Sequence, residues 1–584
     1  MSPIFAQDGF LNMKYVPRVA RFFAVLFLAW LSTNTAFAEQ HRLSKELNER
    51  VAAAASRGQS QDPNGPLVEV LIQFEPGANL DEGISRMLDA GAQHKTRLDV
   101  INGGLFRVPV SLLPKLAEDP DVAYISPDRE IKQLSHLDWI IDATDSGPVL
   151  NWGYNGAGIG VAVIDSGVKS NHPDLTDLDG YYYTSRVVYS QSFISGLDAS
   201  DQYGHGTHVA GLIGGNGYTS GNFMQGMASE ASIINLRVLD ANGAGTDSAV
   251  IAAIQRAIQL KSTYNIRVIN LSLGRFVAES YTLDPLCQAV EQAWKAGIVV
   301  VVAAGNDGRD NSMNTNGYAT VMAPGNDPYV ITVGAFDTRG TDSTSDDVMT
   351  SYSSKGPTLL DHVIKPDLVA PGNKLMSLLA NGSTLDTLYP QNEVSPSVYR
   401  SNSTKASYVI MSGTSMSAAV VSGAVALILQ YQPNLTPDQV KARLMKTASK
   451  NHPLFSTVTT SNGTQYNIEY DVFTVGAGYL DTYAALTSND FPTGTALSPI
   501  AVKDSSGNVL LQADPSSIWS NSIIWGNSIV WGNSAFLSGS SIIWGNSIVW
   551  GNSTLAGYSI IWGSSIIWGS STPYSESGDY DNNN

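Results

Sequence analysis

One cysteine, Cys287, stands in 584 residues, so no intrachain disulfide can form. It lies in the helical pattern DPLCQAVEQAWKAG, where Cys287, Val290 and Trp294 share a face, which predicts a buried structural thiol rather than a nucleophile. Stability must then come from packing, with bound metal as the other source. Basic residues are also scarce. The net charge is −18, and beyond residue 136 there are 20 Lys and Arg against 36 Asp and Glu, which argues against nucleic acid as the main partner. No stretch reaches 18 unbroken apolar residues, so no transmembrane segment is expected in the mature chain.

The longest early apolar run, residues 22–31, is too short to span a bilayer and follows Lys14, Arg18 and Arg21; Ala36-Phe37-Ala38 then supplies small residues at a cleavage site. This is the pattern of a signal peptide over 1–38, and it predicts a secreted protein, extracellular or at the cell surface.

A chain of this length exceeds one hydrophobic core, and its patterning changes along the way. Residues 39–65 are polar and Ala-rich, without a legible period. From 66 to 132 the runs LVEVLIQF, GGLFRVPV and VAYISPD read as strands, with LDEGISRMLDAG and SLLPKLAEDP as helices, making a small α+β unit. Over 137–486 continuous apolar strands (IGVAVID, IINLRVL, VINLSLG, VVVVAAGN) alternate with helices such as TDSAVIAAIQRAIQL, which predicts an α/β domain with a parallel sheet covered by helices on both faces. Functional groups in such sheets collect at the carboxyl ends of strands, where Asp165 and Asn306 fall. The helix TPDQVKARLMKTA carries a capping box, Thr436 with Gln439.

The tail, 487–584, holds one basic residue, Lys503, and seven of the eleven tryptophans, in W-G-N-S-I-I/V units from about 517. Six is even, so successive tryptophans of an extended chain share a face, and a Gly-Asn turn per unit predicts a β-rich solenoid or small sheet. A self-associating or surface-attaching segment and a linker are the competing readings.

Three motifs carry chemistry. VAVIDSGV puts Asp165 at a strand end, GHGTHVAG puts His205 just inside a helix, and GTSMSAAVVSGAVALILQY puts Ser415 at the mouth of a helix with no charged residue to Leu429. A serine hydroxyl is a weak nucleophile until a base takes its proton, imidazole suits that task, and a carboxylate fixes the imidazole's tautomer. The helix N-terminus favours a developing oxyanion. His208 follows His205 by one turn, but the Glu of H-E-x-x-H is missing, so it reads as a packing or hydrogen-bonding residue.

In their order Asp, His, Ser, these motifs resemble the subtilisin-like serine proteases over about 137–486, and the 66–132 unit resembles the inhibitory pro-domain of that family. The resemblance implies a secreted serine endopeptidase made as a zymogen, with the propeptide at 39–136 acting as intramolecular inhibitor on its own cleft, and with protein and peptide substrates. It implies Asp165, His205 and Ser415 as the triad, Asn306 with Ser415 as the oxyanion hole, and no cofactor for the chemistry. It further implies Gly243, Ala244, Gly245, Ser272, Leu273 and Gly274 as substrate edges, Ala303, Ala304 and Gly305 as lining of the primary specificity pocket, and Asp174 as a ligand of a structural calcium. Two departures stand out: Ala419-Val420 replaces the usual Pro-His, and the stretch 307–323 is longer than usual, leaving the pocket floor unplaced. A catalytically silent surface protein attached through its tryptophan repeats is the alternative. Cleavage is expected within 132–138, activity on the neutral to alkaline side, and truncation after Asp490 is expected to spare short-peptide hydrolysis.

Overall fold

The structure is a computed structural model that describes residues 42–56, 66–133 and, apart from short breaks, 153–518, with short strands continuing to Ile543. The signal segment, residues 134–152 and most of the tail's tryptophans lie outside the described residues. There are two compact units: one takes the described residues to Arg97 together with Asn102–Pro127, and the other takes Leu98–Ile101 and the chain from Asp128 onward.

The first unit opens with a helix, α1 (Lys45–Ser56), inside the stretch where no period is legible. Only Leu47, Val51 and Ala54 give it an apolar face, too few to stand out among the alanines. Strand β1 (Leu67–Phe74) is followed by helix α2 (Leu80–Ala90), which the Asn79 side chain caps by accepting the Asp81 and Glu82 N–H groups, and which Gly91 ends at φ 108°. Then come β2 (Gln93–Leu98), β3 (Gly103–Pro109), the short helix α3 (Leu113–Ala117) and β4 (Val122–Pro127). The sheet order is β2-β3-β1-β4, with β1 antiparallel to both neighbours. Val70, Ile72, Phe106, Val108, Val122 and Ile125 are fully buried at its core. Each such side chain contributes about 1.5–3 kcal/mol on leaving water.

The second unit begins with β5 (Glu130–Gln133). Its main sheet is built from β6 (Gly160–Asp165), β7 (Val187–Ser192), β8 (Ser232–Arg237), β10 (Ile266–Leu271), β12 (Val299–Ala303), β13 (Ile331–Asp337), β14 (Val348–Met349) and β15 (Leu368–Pro371), with two short strands of another sheet, β9 (Ala244–Thr246) and β11 (Leu273–Gly274), interspersed in the chain. The order is β14-β13-β12-β10-β6-β8-β7, with β15 beside β13, and every pair is parallel except β13 with β14. Strand β6 is buried along its whole length, as its unbroken apolar run requires. The VINLSLG run divides at Ser272 into β10 and β11, which join different sheets.

The helices that bear on the site are α4 (His205–Gly214), α5 (Asp247–Tyr264), α6 (Pro285–Lys295), α7 (Thr414–Tyr431) and α8 (Pro437–Thr447). Helix α7 is buried from Thr414 to Leu429 and packs on α4, β10, β12 and β13. It has the length and mean hydropathy (18 residues, 1.4) of a membrane span, yet 89% of it is buried inside the protein. Both bonds of the Thr436–Gln439 capping box are present at the start of α8. Cys287 on α6 is fully buried and free, and burial pushes its thiol well up.

Packing continues past the expected domain end at Leu486. Ala496, Ala501, Leu511, Ala513 and Ile518 share a core with Ile364, Ala442, Met445 and Phe473. Ser498 Oγ donates to the buried Asp367 carboxylate (2.5 Å) and accepts from Lys441 Nζ (2.8 Å), while Lys365 Nζ holds the other Asp367 oxygen at 2.7 Å. Beyond this point β16 (Ile500–Lys503), β17 (Val509–Gln512), β20 (Ser534–Ser538) and β21 (Ser541–Ile543) form an antiparallel sheet in the order β16-β17-β20-β21, and β18 (Ile523–Trp525) pairs with β19 (Ser528–Val530) as a hairpin. Trp525 lies opposite Ser528 in that register. Most of the W-G-N-S-I-I/V units, and with them the common face of the tryptophans, lie outside the described residues.

Candidate active site

Strand β6 delivers Asp165 to its carboxyl end. There the carboxylate Oδ1 accepts the Ser166 N–H and lies 2.7 Å from His205 Nδ1, with both side chains fully buried. His205 is the first residue of α4, and the glycines on either side are sterically required. Gly204 has φ 110°, and a Cβ on Gly206 would lie 2.2 Å from the Gly167 carbonyl oxygen. The loop and the helix are tied by Asp201, which accepts the Gly204 N–H (2.7 Å), the Thr207 N–H (2.8 Å), the Thr207 hydroxyl (2.6 Å) and the Ser166 hydroxyl (2.8 Å). Ser166 Oγ in turn accepts the Gly206 N–H at 2.9 Å. Burial pushes the Asp201 carboxyl up against these four donors. His205 Nε2 is buried and has no hydrogen-bond partner among the described residues.

Ser415 is the second residue of α7, fully buried, and its Oγ donates to the Ser272 carbonyl at 3.1 Å. A ladder sets this end of the helix: Ser272 Oγ donates to the Ser415 carbonyl (2.8 Å), Asn270 Nδ2 donates to Ser272 Oγ (2.9 Å), and Ser422 Oγ donates to Asn270 Oδ1 (2.9 Å). Asn306 follows β12. Its Oδ1 accepts both the backbone N–H and the hydroxyl of Thr414 at 3.0 Å, and Thr414 Oγ1 accepts the Gly305 N–H at 3.1 Å. The amide is thereby turned so that Nδ2 is its other end, buried and without a partner among the described residues. A pre-oriented donor of this kind suits a developing oxyanion.

Of the expected substrate edges, Ala244 and Gly245 lie on β9, while Leu273 and Gly274 make up β11. Gly243 sits in the turn before β9 at φ 75°, and Ser272 serves as acceptor for Ser415. Strand β5 runs antiparallel between β9 and β11, with Lys132 opposite both Ala244 and Gly274, Ile131 opposite Gly245, and Gln133 opposite Leu273. Ala303, Ala304 and Gly305 are buried, and Gly305 has φ 113°. Met322 is their neighbour: its N–H donates to the Ala304 carbonyl, and a Cβ on Gly305 would lie 2.9 Å from its Cγ.

Asp174 does not fit a calcium ligand. Its carboxylate accepts the Thr219 N–H (2.9 Å) and hydroxyl on one oxygen and the Tyr408 hydroxyl (2.5 Å) on the other, so hydrogen-bond donors surround it where a cation needs further oxygens. Asp177 pairs with Arg186 at 2.8 Å. No group of three His, Cys, Asp or Glu placed to hold a metal occurs among the described residues. Asp174 instead anchors the 216–225 loop, whose Asn216 N–H donates to its carbonyl. His208 Nε2 lies 3.0 Å from the Leu375 carbonyl oxygen, and full burial lowers its pKa to about 3, as befits a packed neutral imidazole.

Sequence reading misses Asp201, Thr414 and Met322. Thr414 acts through a bond that only the folded chain brings together; for Asp201 an acid three residues before the GHG motif is the one local signal.

The family model described as Subtilase family matches residues 156–478. The chain is 35% identical to serine protease AprX of Bacillus subtilis (strain 168) over 402 residues, 66% of this chain and 84% of that one. It is 33% identical to the extracellular serine proteinase of Thermus sp. (strain Rt41A), covering 66% and 82%. The crystal structure of fervidolysin from Fervidobacterium pennivorans, a keratinolytic enzyme related to subtilisin, superposes with a TM-score of 0.54 at 21% identity, covering 82% of this chain and 71% of that one, a likeness of fold. With the site's geometry and these matches together, the chain belongs to the subtilase family and is a subtilisin-like serine endopeptidase.

Proposed function

We propose that the chain is a secreted zymogen in which Asp165, His205 and Ser415 hydrolyse peptide bonds through an acyl-enzyme. Asp165 holds the proton on His205 Nδ1, leaving Nε2 as the base. The Ser415 hydroxyl turns from the Ser272 carbonyl to Nε2, gives up its proton and attacks the scissile carbonyl carbon. The oxyanion that forms takes hydrogen bonds from Asn306 Nδ2 and the Ser415 N–H. The imidazolium, stabilised by Asp165, returns the proton to the leaving amine, and water then cleaves the ester by the same steps in reverse roles. The observation that carries this reading is the fully buried Asp165–His205 pair at 2.7 Å, whose outer nitrogen Nε2 has no partner among the described residues.

Substrates bind as an added strand between β9 and β11, because main-chain bonds are available on every peptide. The seating of β5 in that slot supports this, and the separate small α+β unit ending at Pro127 supports the reading of a pro-domain that acts as intramolecular inhibitor. The primary pocket is lined by Ala303, Ala304 and Gly305, with Met322 as its floor. Maturation cuts within 132–138. The charged and apolar pattern of 14–38 and the extracellular relative support export. Labelling with a serine-directed phosphonate tests the assignment: the processed protein takes up label and Ser415→Ala does not, whereas equal behaviour of the two sinks it. Ser415→Ala also remains uncut in a pure preparation if the chain matures itself.

A further inference from the structure

Strand β5 does not begin the contact it makes. Thr246 lies opposite Glu130, and the same antiparallel pairing then runs off the strand into the first turn of α5: the Asp247 N–H donates to the Arg129 carbonyl at 2.9 Å, and the Ser248 N–H and hydroxyl donate to the two Asp128 carboxylate oxygens at 2.8 and 2.6 Å. Helix α5 is 18 residues long, so its N-terminus carries a full dipole for that carboxylate. A separate contact holds the next side chain. Arg129 Nη1 donates to Glu279 Oε1 at 2.7 Å, with the two side chains only 11% and 7% exposed. The surroundings are fixed by Arg275, whose Nε bonds both oxygens of Asp247 (2.9 and 3.0 Å) and whose Nη2 bonds both oxygens of Asp284 (2.7 and 2.8 Å), all three residues being buried. None of these groups belongs to the triad or to the oxyanion hole.

We propose that Ser248 at the start of α5 and the buried carboxylate of Glu279 form a recognition site for an acidic-basic dipeptide immediately upstream of the strand bound in the cleft, so that peptides carrying Asp-Arg at those two positions are the preferred ligands. The inference rests on the reading of β9 and β11 as substrate edges. The chemistry is selective for a physical reason. Charged hydrogen bonds taken out of water stabilise only when both partners are present, and losing one leaves the other buried and unpaired. Helix start and carboxylate have opposite signs, so the order acid then base is read, not net charge. The chain's own Asp128 and Arg129 are the first occupants.

The test uses the active protein purified after expression of the full chain, with hydrolysis of a fluorogenic casein as readout. Peptides 128–133 (Asp-Arg-Glu-Ile-Lys-Gln) and 130–133, and 128–133 variants with Asp128→Ala or Arg129→Ala, are titrated as inhibitors. Each alanine is expected to raise the inhibition constant by about tenfold or more, a typical loss for a charged hydrogen bond. In Glu279→Gln the ratio for Arg129→Ala collapses towards one while the ratio for Asp128→Ala persists, and Glu279→Arg favours the Arg129→Glu peptide. Should neither Glu279 variant fold, Ser248→Ala supplies the same reading through a smaller Asp128→Ala ratio. Competition without discrimination, or an Arg preference that survives Glu279→Gln, overturns the proposal alone. No competition by any peptide overturns the strand reading and the proposal with it.

Discussion

Thr414 stands beside Ser415, the proposed nucleophile, and uses both its N–H and its hydroxyl on one oxygen of Asn306. Thr414→Val keeps the shape and removes the hydroxyl, so Asn306 loses one of two restraints. The expected result is a kcat lowered about tenfold with KM little changed, against a hundred- to thousandfold loss for Asn306→Leu by analogy with subtilisin. Steady-state kinetics on one short peptide checks both. Met322 makes a different prediction. Because it packs on Gly305, Met322→Gly should raise kcat/KM for substrates with a large aromatic residue at the cleavage position relative to a small one; an unchanged ratio would remove it from the pocket. Asp165, His205 and Ser415, the proposed triad, are legible in the sequence because each sits in a short contiguous motif, and close contacts force the glycines of the first two, Gly167, Gly204 and Gly206. Thr414 meets Asn306 across 108 residues, and no local pattern records that. Asp174 fails for the same reason in reverse: its spacing is right, but Tyr408, 234 residues away, lies where a ligand set would need an acceptor.

Among elements, the strands were readable as unbroken apolar runs, since a sheet covered on both faces leaves no polar alternation to confuse them. The end of the catalytic unit was harder to read. Residues 491–518 are polar and short in period, and their few apolar side chains gain meaning only against Met445, Ile364 and Phe473. Truncation after Asp490 should therefore destabilise the protein rather than leave it unchanged, because it bares that core and strips Ser498 from Lys441 and Asp367. Truncation after Ile518 should preserve folding and short-peptide turnover. Thermal unfolding of both, with turnover as the second measure, decides it. In the same cluster Lys441 Nζ also bonds the Pro328, Tyr329 and Val330 carbonyls, so Lys441→Met leaves Asp367 and three acceptors short of a partner and should cost about 3–5 kcal/mol in denaturant unfolding.

At the scale of the whole molecule, pH acts through Asp367. Burial works to raise its pKa, but the Lys365 and Lys441 ammonium groups outweigh that and hold the carboxyl below the usual range. A carboxylate depressed in the folded state contributes stability that is complete above its unfolded value of about 4 and disappears as pH falls through the folded one. Acid unfolding should thus be shallower in Asp367→Asn, and the wild type should outlast it by the widest margin above about pH 5. Helix α7, sheathed by the rest of the fold, has a consequence outside it as well. A polypeptide that exposes those eighteen residues during heating or before it has collapsed offers lipid bilayers a segment they can absorb. The native enzyme should float free of phospholipid vesicles in a sucrose gradient, and the heat-unfolded chain should rise with them.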